Sequence, residues 1–326
     1  MKLPDALKNI LKKNKIKYVF GLQGGAVVHI FDSLEKYKIN VTYTHHEQSA
    51  SLASVSNAKI TGHPGCTVVT TGPGTTNAMT GLLSAWQDSV PVIFISGQSR
   101  SNHTSYGKKV RQVGTQEVNI CDIVKPITKK TILIKNPNKF PEEFQKAINI
   151  ANSGRKGPIW IDMPLEFQWM EIKPKFLNRL NVKEPKINLK DIKSFKKLFS
   201  NSKNPLAILG YGLRSSKNGL KELKKFIKKT NLPFVTTWNG KDFFSYYDKL
   251  NIGTIGMSGQ RGANKAVFNS DLLICLGTHL SIPHTTTLYN SYAKQAKKII
   301  VNIDKNQLKN LNIKFDLKLN YDLGSF

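Results

Sequence analysis

The sequence predicts an α/β protein made of two doubly wound parallel-sheet domains. Three observations carry this. Residues 41–97 run strand, helix, strand, helix, strand, with connections too long for hairpins, an order that specifies parallel strands with helices on the sheet faces. The runs at 66–71 and 91–96 are continuously apolar or β-branched, the mark of strands covered on both faces. A second α/β pattern follows after residue 192, with strands expected at 206–209, 233–237, 271–276 and 299–303 and a helix over 217–229.

The elements of the first half follow in order. Residues 4–13 read as an amphipathic helix with Ala6, Leu7, Ile10 and Leu11 on one side. A short strand at 18–20 meets the glycine turn Gly21-Leu22-Gln23-Gly24-Gly25, and a helix is expected over 26–37. The strand 41–44 ends at His45, His46 and Glu47. The Ala- and Ser-rich stretch 48–59 reads as a helix, stopped by Gly62, Pro64 and Gly65. After the strand 66–71, Gly72-Pro73-Gly74 turns the chain, Thr75 and Thr76 are N-cap types, and 77–86 runs helical to the strand at 91–96. Residues 101–116 lack an apolar period and read as a mobile loop. A helix at 142–151 and a turn at 153–158 lead to a strand at 159–161 that ends in Asp162-Met163-Pro164. Periodicity is lost from Met170 to Asp191. The domains are therefore expected at 1–170 and 192–326, with a linker at 171–191.

Composition narrows the function classes. The chain has 326 residues, enough for two domains, and no apolar run of membrane length. Its N-terminus lacks a signal-peptide core, and Cys66, Cys121 and Cys275 lie scattered among apolar neighbours. Together these imply a cytoplasmic protein with buried reduced thiols. The net charge of +28 raises a nucleic-acid or acidic-membrane partner. The lysines do not gather in one block and no nucleic-acid motif accompanies them, so no nucleic acid and no membrane is expected.

In sheets of this kind, ligands sit beyond the carboxyl ends of the strands. Glu47 and the turn from Gly72 to Asn77 both fall there. A carboxylate beside a glycine turn that feeds a helix can meet a ligand, although an exposed glutamate and an ordinary helix entry would read the same way.

The wording of the stretch is more specific. His46-Glu47-Gln48, the run TTGPGTTNAMTG from Thr70 and the run DSVPVIFISGQ from Asp88 resemble the N-terminal domain of thiamine diphosphate enzymes of the acetolactate synthase type. The resemblance implies a carboligase or 2-oxo acid decarboxylase using thiamine diphosphate with Mg²⁺. It assigns Glu47 to N1′ of the cofactor's aminopyrimidine, a role that needs a dry pocket where the acid shares a proton with a ring nitrogen. Gly24, Gly25, Thr71, Gly72, Pro73 and Asn77 are the other expected cofactor contacts. Gln116, in Thr115-Gln116-Glu117, matches a family phenylalanine-glutamine-glutamate and is the candidate substrate contact. Two departures bear on substrate choice: Gln23 replaces a family proline, and Thr115 replaces the phenylalanine.

The second half resembles the family's central domain, which carries FAD in some relatives. The positions that would meet FAD are Arg155, Gly210, Gly212, Gly256, Met257, Gly277 and Asp304. Flavin-binding relatives follow the Gly277 strand with arginines and aspartates. Here Thr278-His279-Leu280-Ser281-Ile282-Pro283-His284 stands instead, with no arginine fork for a diphosphate, which argues against FAD.

The family's third domain, marked by Gly-Asp-Gly and Asn-Asn, holds the metal and the diphosphate, and that motif is not found before Phe326. The resemblance therefore implies a fragment or one chain of a split enzyme, with no metal ligand of its own, working as a homo-oligomer or with a separate diphosphate-binding chain. The alternative is a non-catalytic nucleotide-binding or regulatory protein that keeps the fold.

Overall fold

The computed structural model describes residues 1–173, 187–287 and 289–326. The chain divides into two compact units, residues 1–182 and 183–326.

In the first unit the elements run α1 Leu3–Lys13, β1 Tyr18–Gly21, α2 Val28–Lys36, β2 Asn40–Tyr43, α3 Glu47–Thr61, β3 Gly65–Val69, α4 Pro73–Asn77, α5 Met79–Gln87, β4 Val92–Gln98, α6 Ile120–Val124, β5 Lys130–Leu133, α7 Phe140–Asn152 and β6 Ile159–Pro164. All six strands are parallel, in the order β2-β1-β3-β4-β6-β5. Every residue of β3, β4 and β6 is buried, including Thr67, Ser96, Gln98 and Asp162 among their apolar neighbours.

Two layers of helices cover this sheet. On one face α1, α2 and α7 pack Leu7, Leu11, Phe31, Phe140 and Phe144 against Val19, Val68, Ile93 and Ile161. On the other, α3 packs closely against both the sheet and α5, which explains its Ala and Ser content. A Cβ on Gly65 would stand 2.3 Å from the Ser54 carbonyl, and one on Gly81 would stand 2.3 Å from the Ser51 hydroxyl. Larger side chains on α3 would push both neighbours away. The hydroxyls that this close packing buries are satisfied locally: Ser54 Oγ donates to the Cys66 carbonyl at 2.9 Å, and Thr67 Oγ1 donates to Ser54 Oγ at 2.7 Å.

The second unit runs α8 Leu189–Ser200, β7 Pro205–Leu209, α9 Gly212–Ser215, α10 Gly219–Thr230, β8 Phe234–Thr236, β9 Asn251–Thr254, α11 Arg261–Asn269, β10 Leu272–Leu276, α12 Ile282–Thr285, β11 Lys297–Val301, α13 Lys305–Lys309 and β12 Leu317–Leu319. Its strands are again parallel, in the order β12-β11-β10-β7-β8-β9.

Several expectations are refined. The last strand is β12, not the run at 299–303, and β5, β9, α6, α8 and α11 were not anticipated. The Gly72-Pro73-Gly74 turn is the entry of α4, with Gly72 at the N-cap and Pro73 in the first turn, where its missing N–H costs nothing. Residues 174–186 of the expected linker lie outside the described residues. At its margins, Ile172 is buried and its N–H donates to the Met1 carbonyl, while α8 already begins at Leu189. Among the described residues, no helix is long and apolar enough to cross a membrane.

Candidate active site

Because the strands of the first unit are parallel, the segments leaving β1, β2, β3, β4 and β6 emerge at one edge. The chain order reverses between β1 and β3, which makes their carboxyl ends the topological switch point, where such sheets open a crevice. The turns after these two strands touch. A Cβ on Gly24 would stand 2.5 Å from Thr70 Cβ, and the Ala26 N–H donates to Thr70 Oγ1 at 3.3 Å. Beside them, a Cβ on Gly25 would meet nothing within 4 Å.

Glu47 is the first residue of α3, just past the end of β2. Its side chain is only 7% exposed. His46, the N-cap, accepts the Gln48 N–H on Nδ1 at 3.1 Å, so the helix start is closed without the glutamate. The Glu47 carboxylate is thus left for other work. Asn77, at the end of α4, donates Nδ2 to Glu47 Oε2 at 3.0 Å. Oε1 has no hydrogen-bond partner among the described residues. It is kept clear by Gly74, whose Cβ would stand 3.3 Å from it. A buried carboxylate held at one oxygen and open at the other is the donor set that a nitrogen heterocycle with an N–H or a protonatable nitrogen requires. The expected aminopyrimidine therefore fits these residues.

The structure brings Gln116 to the same edge by its backbone. Gly72 has φ 62° and ψ −121°, and a Cβ there would fall 2.3 Å from the Gln116 carbonyl. Thr71 Oγ1 lies 3.1 Å from Gln98 Oε1 and 3.3 Å from that carbonyl, two acceptors that share its single hydroxyl proton. Gln116 itself has φ 57°, and its side chain is exposed.

Sequence reasoning missed what lies beneath. Asp162, fully buried on β6, accepts hydrogen bonds from Ser96 Oγ at 2.6 Å, Gln98 Nε2 at 2.9 Å and Tyr106 OH at 3.1 Å. Burial, its largest cause, pushes the Asp162 carboxyl up to about 6, against the pull of these three donors. Burial, and then the charge of Asp162, raises the Tyr106 hydroxyl as well. The loop 101–116, expected to be mobile, is tied down at Tyr106. Glu117 Oε1 accepts the N–H groups of Ser105 and Val113, both at 3.0 Å. The available signal was the pairing of Ser96 with Asp162 across β4 and β6, which needs the topology first.

The FAD candidates fall in both units. Arg155 lies at the amino end of β6, away from Glu47, and its Nε donates to Ser89 Oγ at 2.8 Å. Gly210, Gly212 and Gly277 gather at the switch point of the second unit, between β7 and β10. They contact one another: a Cβ on Gly210 would stand 2.4 Å from the Gly277 carbonyl, and one on Gly212 would stand 2.7 Å from Gly277 Cα. Gly256 has φ 114°, and the Met257 N–H donates to the Pro283 carbonyl at 2.8 Å. Asp304 caps α13 through the N–H groups of Asn306 and Gln307. Beyond β8 and β9, a cleft of about 550 Å³ is lined by Thr236, Trp238, Asn251, Thr254 and Gln260. Among the described residues, no group of three His, Cys, Asp or Glu could hold a metal ion.

Comparison with known proteins bears on both units. Residues 1–123 match the family described as thiamine pyrophosphate enzyme, N-terminal TPP binding domain, and residues 192–326 match the thiamine pyrophosphate enzyme central domain. The acetolactate synthase large subunit of Cyanidium caldarium is 34% identical over 96% of this chain and 55% of its own length. A probable acetolactate synthase large subunit from Methanocaldococcus jannaschii is 33% identical over 98% of this chain and 54% of its own. The chloroplastic acetolactate synthase 2 of Nicotiana tabacum is 32% identical over 97% of this chain and 48% of its own. The chain spans about half the length of the curated relatives it matches.

Proposed function

We propose a function from one premise: the chain belongs to the thiamine pyrophosphate enzymes, of which it carries the N-terminal and central domains. In this reading it is the aminopyrimidine-binding part of an acetolactate synthase-type carboligase acting on 2-oxo acids. The diphosphate and its Mg²⁺ are held by a further domain or a separate chain, with the site completed on assembly.

The observation that carries this is Glu47, buried, fixed at Oε2 by Asn77 and open at Oε1. A protein that only bound a nucleotide would have no use for such a carboxylate, whose burial costs free energy unless it is matched by a partner. Bound thiamine diphosphate supplies the nucleophilic carbon and the electron sink for 2-oxo acid chemistry. This chain's residues supply the rest. Glu47 exchanges a proton with the ring nitrogen N1′. Asn77 holds the carboxylate in line for that exchange. Gly24, Gly25, Thr71, Gly72 and Pro73 are the further contacts of the cofactor. Gln116, at the rim, faces the substrate.

The test is Glu47→Gln, assayed together with the diphosphate-binding part. The amide keeps size and hydrogen bonding but cannot share the proton, so turnover should fall on the order of 10² to 10⁴, the usual span for acid–base catalysis. Unchanged turnover would remove Glu47 from the mechanism. FAD has less support, because the close backbone contacts at Gly210, Gly212 and Gly277 already account for those glycines.

A further inference from the structure

The loop that carries Gln116 leaves the sheet at Ser99 and returns at Val118, and both ends meet one buried cluster. Gln98 Nε2 lies 2.8 Å from the Val118 carbonyl, 2.9 Å from Asp162 Oδ2 and 3.0 Å from Tyr106 OH. Its Oε1 accepts the Ser99 N–H at 2.9 Å and Thr71 Oγ1 at 3.1 Å. Tyr106, in the middle of the loop, reaches inward so that its hydroxyl lies 3.1 Å from Asp162 Oδ2 and 3.2 Å from the Val118 carbonyl. The start, middle and end of the loop thus converge on Asp162 and Gln98, both 0% exposed.

The arrangement has a direction. An amide side chain can be turned either way, and its neighbours decide. Asp162 Oδ2 and the Val118 carbonyl are acceptors only, so they hold Nε2 toward themselves. That leaves Oε1 toward Thr71 and Ser99. The same Thr71 hydroxyl lies 3.3 Å from the Gln116 carbonyl, so its one proton is shared between that carbonyl and Gln98 Oε1. Gln116 keeps φ 57°, a left-handed conformation that costs a residue other than glycine some free energy. On the other side, Trp160 Nε1 donates to Ser96 Oγ at 2.8 Å, and Ser96 donates to Asp162 Oδ1, so the sheet fixes the carboxylate itself.

We propose that Asp162 is a positioning residue: its buried carboxylate anchors the loop 99–118 through Gln98 and Tyr106, and so sets where Gln116 stands beside Gly72. It touches neither cofactor nor substrate and acts through the loop. Only the importance of Gln116 rests on the function proposed above; the anchor itself does not.

The test uses the full chain without cofactor. Lys108, Lys109 and Arg111 are exposed on the loop and are trypsin sites. Cleavage there requires the loop to open locally, so its rate reports the anchor. Tyr106→Phe removes one link and should speed cleavage at these three sites about tenfold, the weight of one buried hydrogen bond, with sites in the second unit unchanged. Amide exchange across 113–119 should rise with it. Asp162→Ala should speed loop cleavage at least as much. Asp162→Asn, which keeps an acceptor oxygen for Gln98 and Tyr106 and turns its amide toward Ser96 Oγ, should restore nearly the original rate. Wild-type loop cleavage in Tyr106→Phe would overturn the proposal, as would an Asp162→Asn chain cut as fast as Asp162→Ala. Because no cofactor enters the assay, a failed Glu47→Gln test sinks the function and leaves the anchor standing, and a failed cleavage test does the reverse.

Discussion

Replacing Gly72 with alanine separates backbone strain from crowding at the site. The residue sits at φ 62° and ψ −121°, a conformation that side-chain-bearing residues avoid, so strain of about 1–3 kcal/mol is built in wherever the neighbours go. The added methyl would also stand 2.3 Å from the Gln116 carbonyl and 3.0 Å from Gln116 Cβ. That overlap costs about another 1–3 kcal/mol if the loop stays, and less if it moves aside. The expected loss is therefore about 2–6 kcal/mol from the first unit if the loop stays, and toward the low end of that range if it moves aside. With a urea slope of about 1–3 kcal/mol/M, the midpoint falls by about 1 M or more. Tryptophan fluorescence reads it, since Trp160 is fully buried in that unit. Gly74→Ala is the comparison. Its methyl would meet the end of the Thr70 side chain at 2.8 Å, and no positive φ is involved, so its midpoint should move less although it presses on Glu47 Oε1. A Gly72→Ala midpoint within about 0.2 M of wild type, roughly 0.5 kcal/mol, would refute the reasoning.

Two further outcomes follow from the same structure. The Asp162 carboxyl rises from its ordinary 3.8 to about 6 in the fold, so between these values the folded protein holds a proton that the unfolded chain has released. Its contribution to stability is then fully present below about pH 4, is lost as pH rises to 6, and stays flat above; the fall is about 3 kcal/mol. The stability difference between wild type and Asp162→Asn should track that curve by urea unfolding, and a pH-independent difference would exclude Asp162 as its source. The purified chain should show no visible flavin absorbance; stoichiometric FAD, released by Arg155→Ala, would reverse the reading of the second unit.

The parallel sheets were legible because β3, β4, β7 and β10 are wholly or almost wholly buried, and burial on both faces leaves an unbroken apolar run. Of the four edge strands in the described sheets, β2 was legible as the run 41–44, and the other three were not. β5, β9 and β12 are short and partly exposed, with lysine, asparagine or glycine among their residues, and such runs read as loop. α8 carries its apolar side on Ile192, Phe195, Leu198 and Phe199, a helical spacing that was available but was masked by the lysines between and the unpatterned stretch before it. The position of Glu47, just past β2 at the start of α3, was legible because its strand, its helix and its motif are contiguous. Asp162 and Gln98 were not, because 64 residues separate them and only the β4–β6 register brings them together.

Glycine turns show how much a local pattern leaves open. Gly24-Gly25 and Gly210-Tyr211-Gly212 both follow a first strand and precede a helical segment, and both stand at a switch point. In the second unit the turn after β7 is joined to the strand end beside it by backbone bonds: the Gly210 N–H donates to the Leu276 carbonyl at 2.8 Å, and the Gly212 N–H donates to the Gly277 carbonyl at 2.9 Å. Those glycines are required by the contact itself, and the contact occupies the N–H groups of Gly210 and Gly212, two that a phosphate could otherwise use. In the first unit the turns meet through a side chain, Thr70 Oγ1 with the Ala26 N–H, and the space beside Gly25 stays open. The sequence pattern is shared, but only the first arrangement leaves room for a ligand next to a carboxylate. Hence open space beside a buried carboxylate is found at Glu47, whereas the glycines of the second unit are explained by packing.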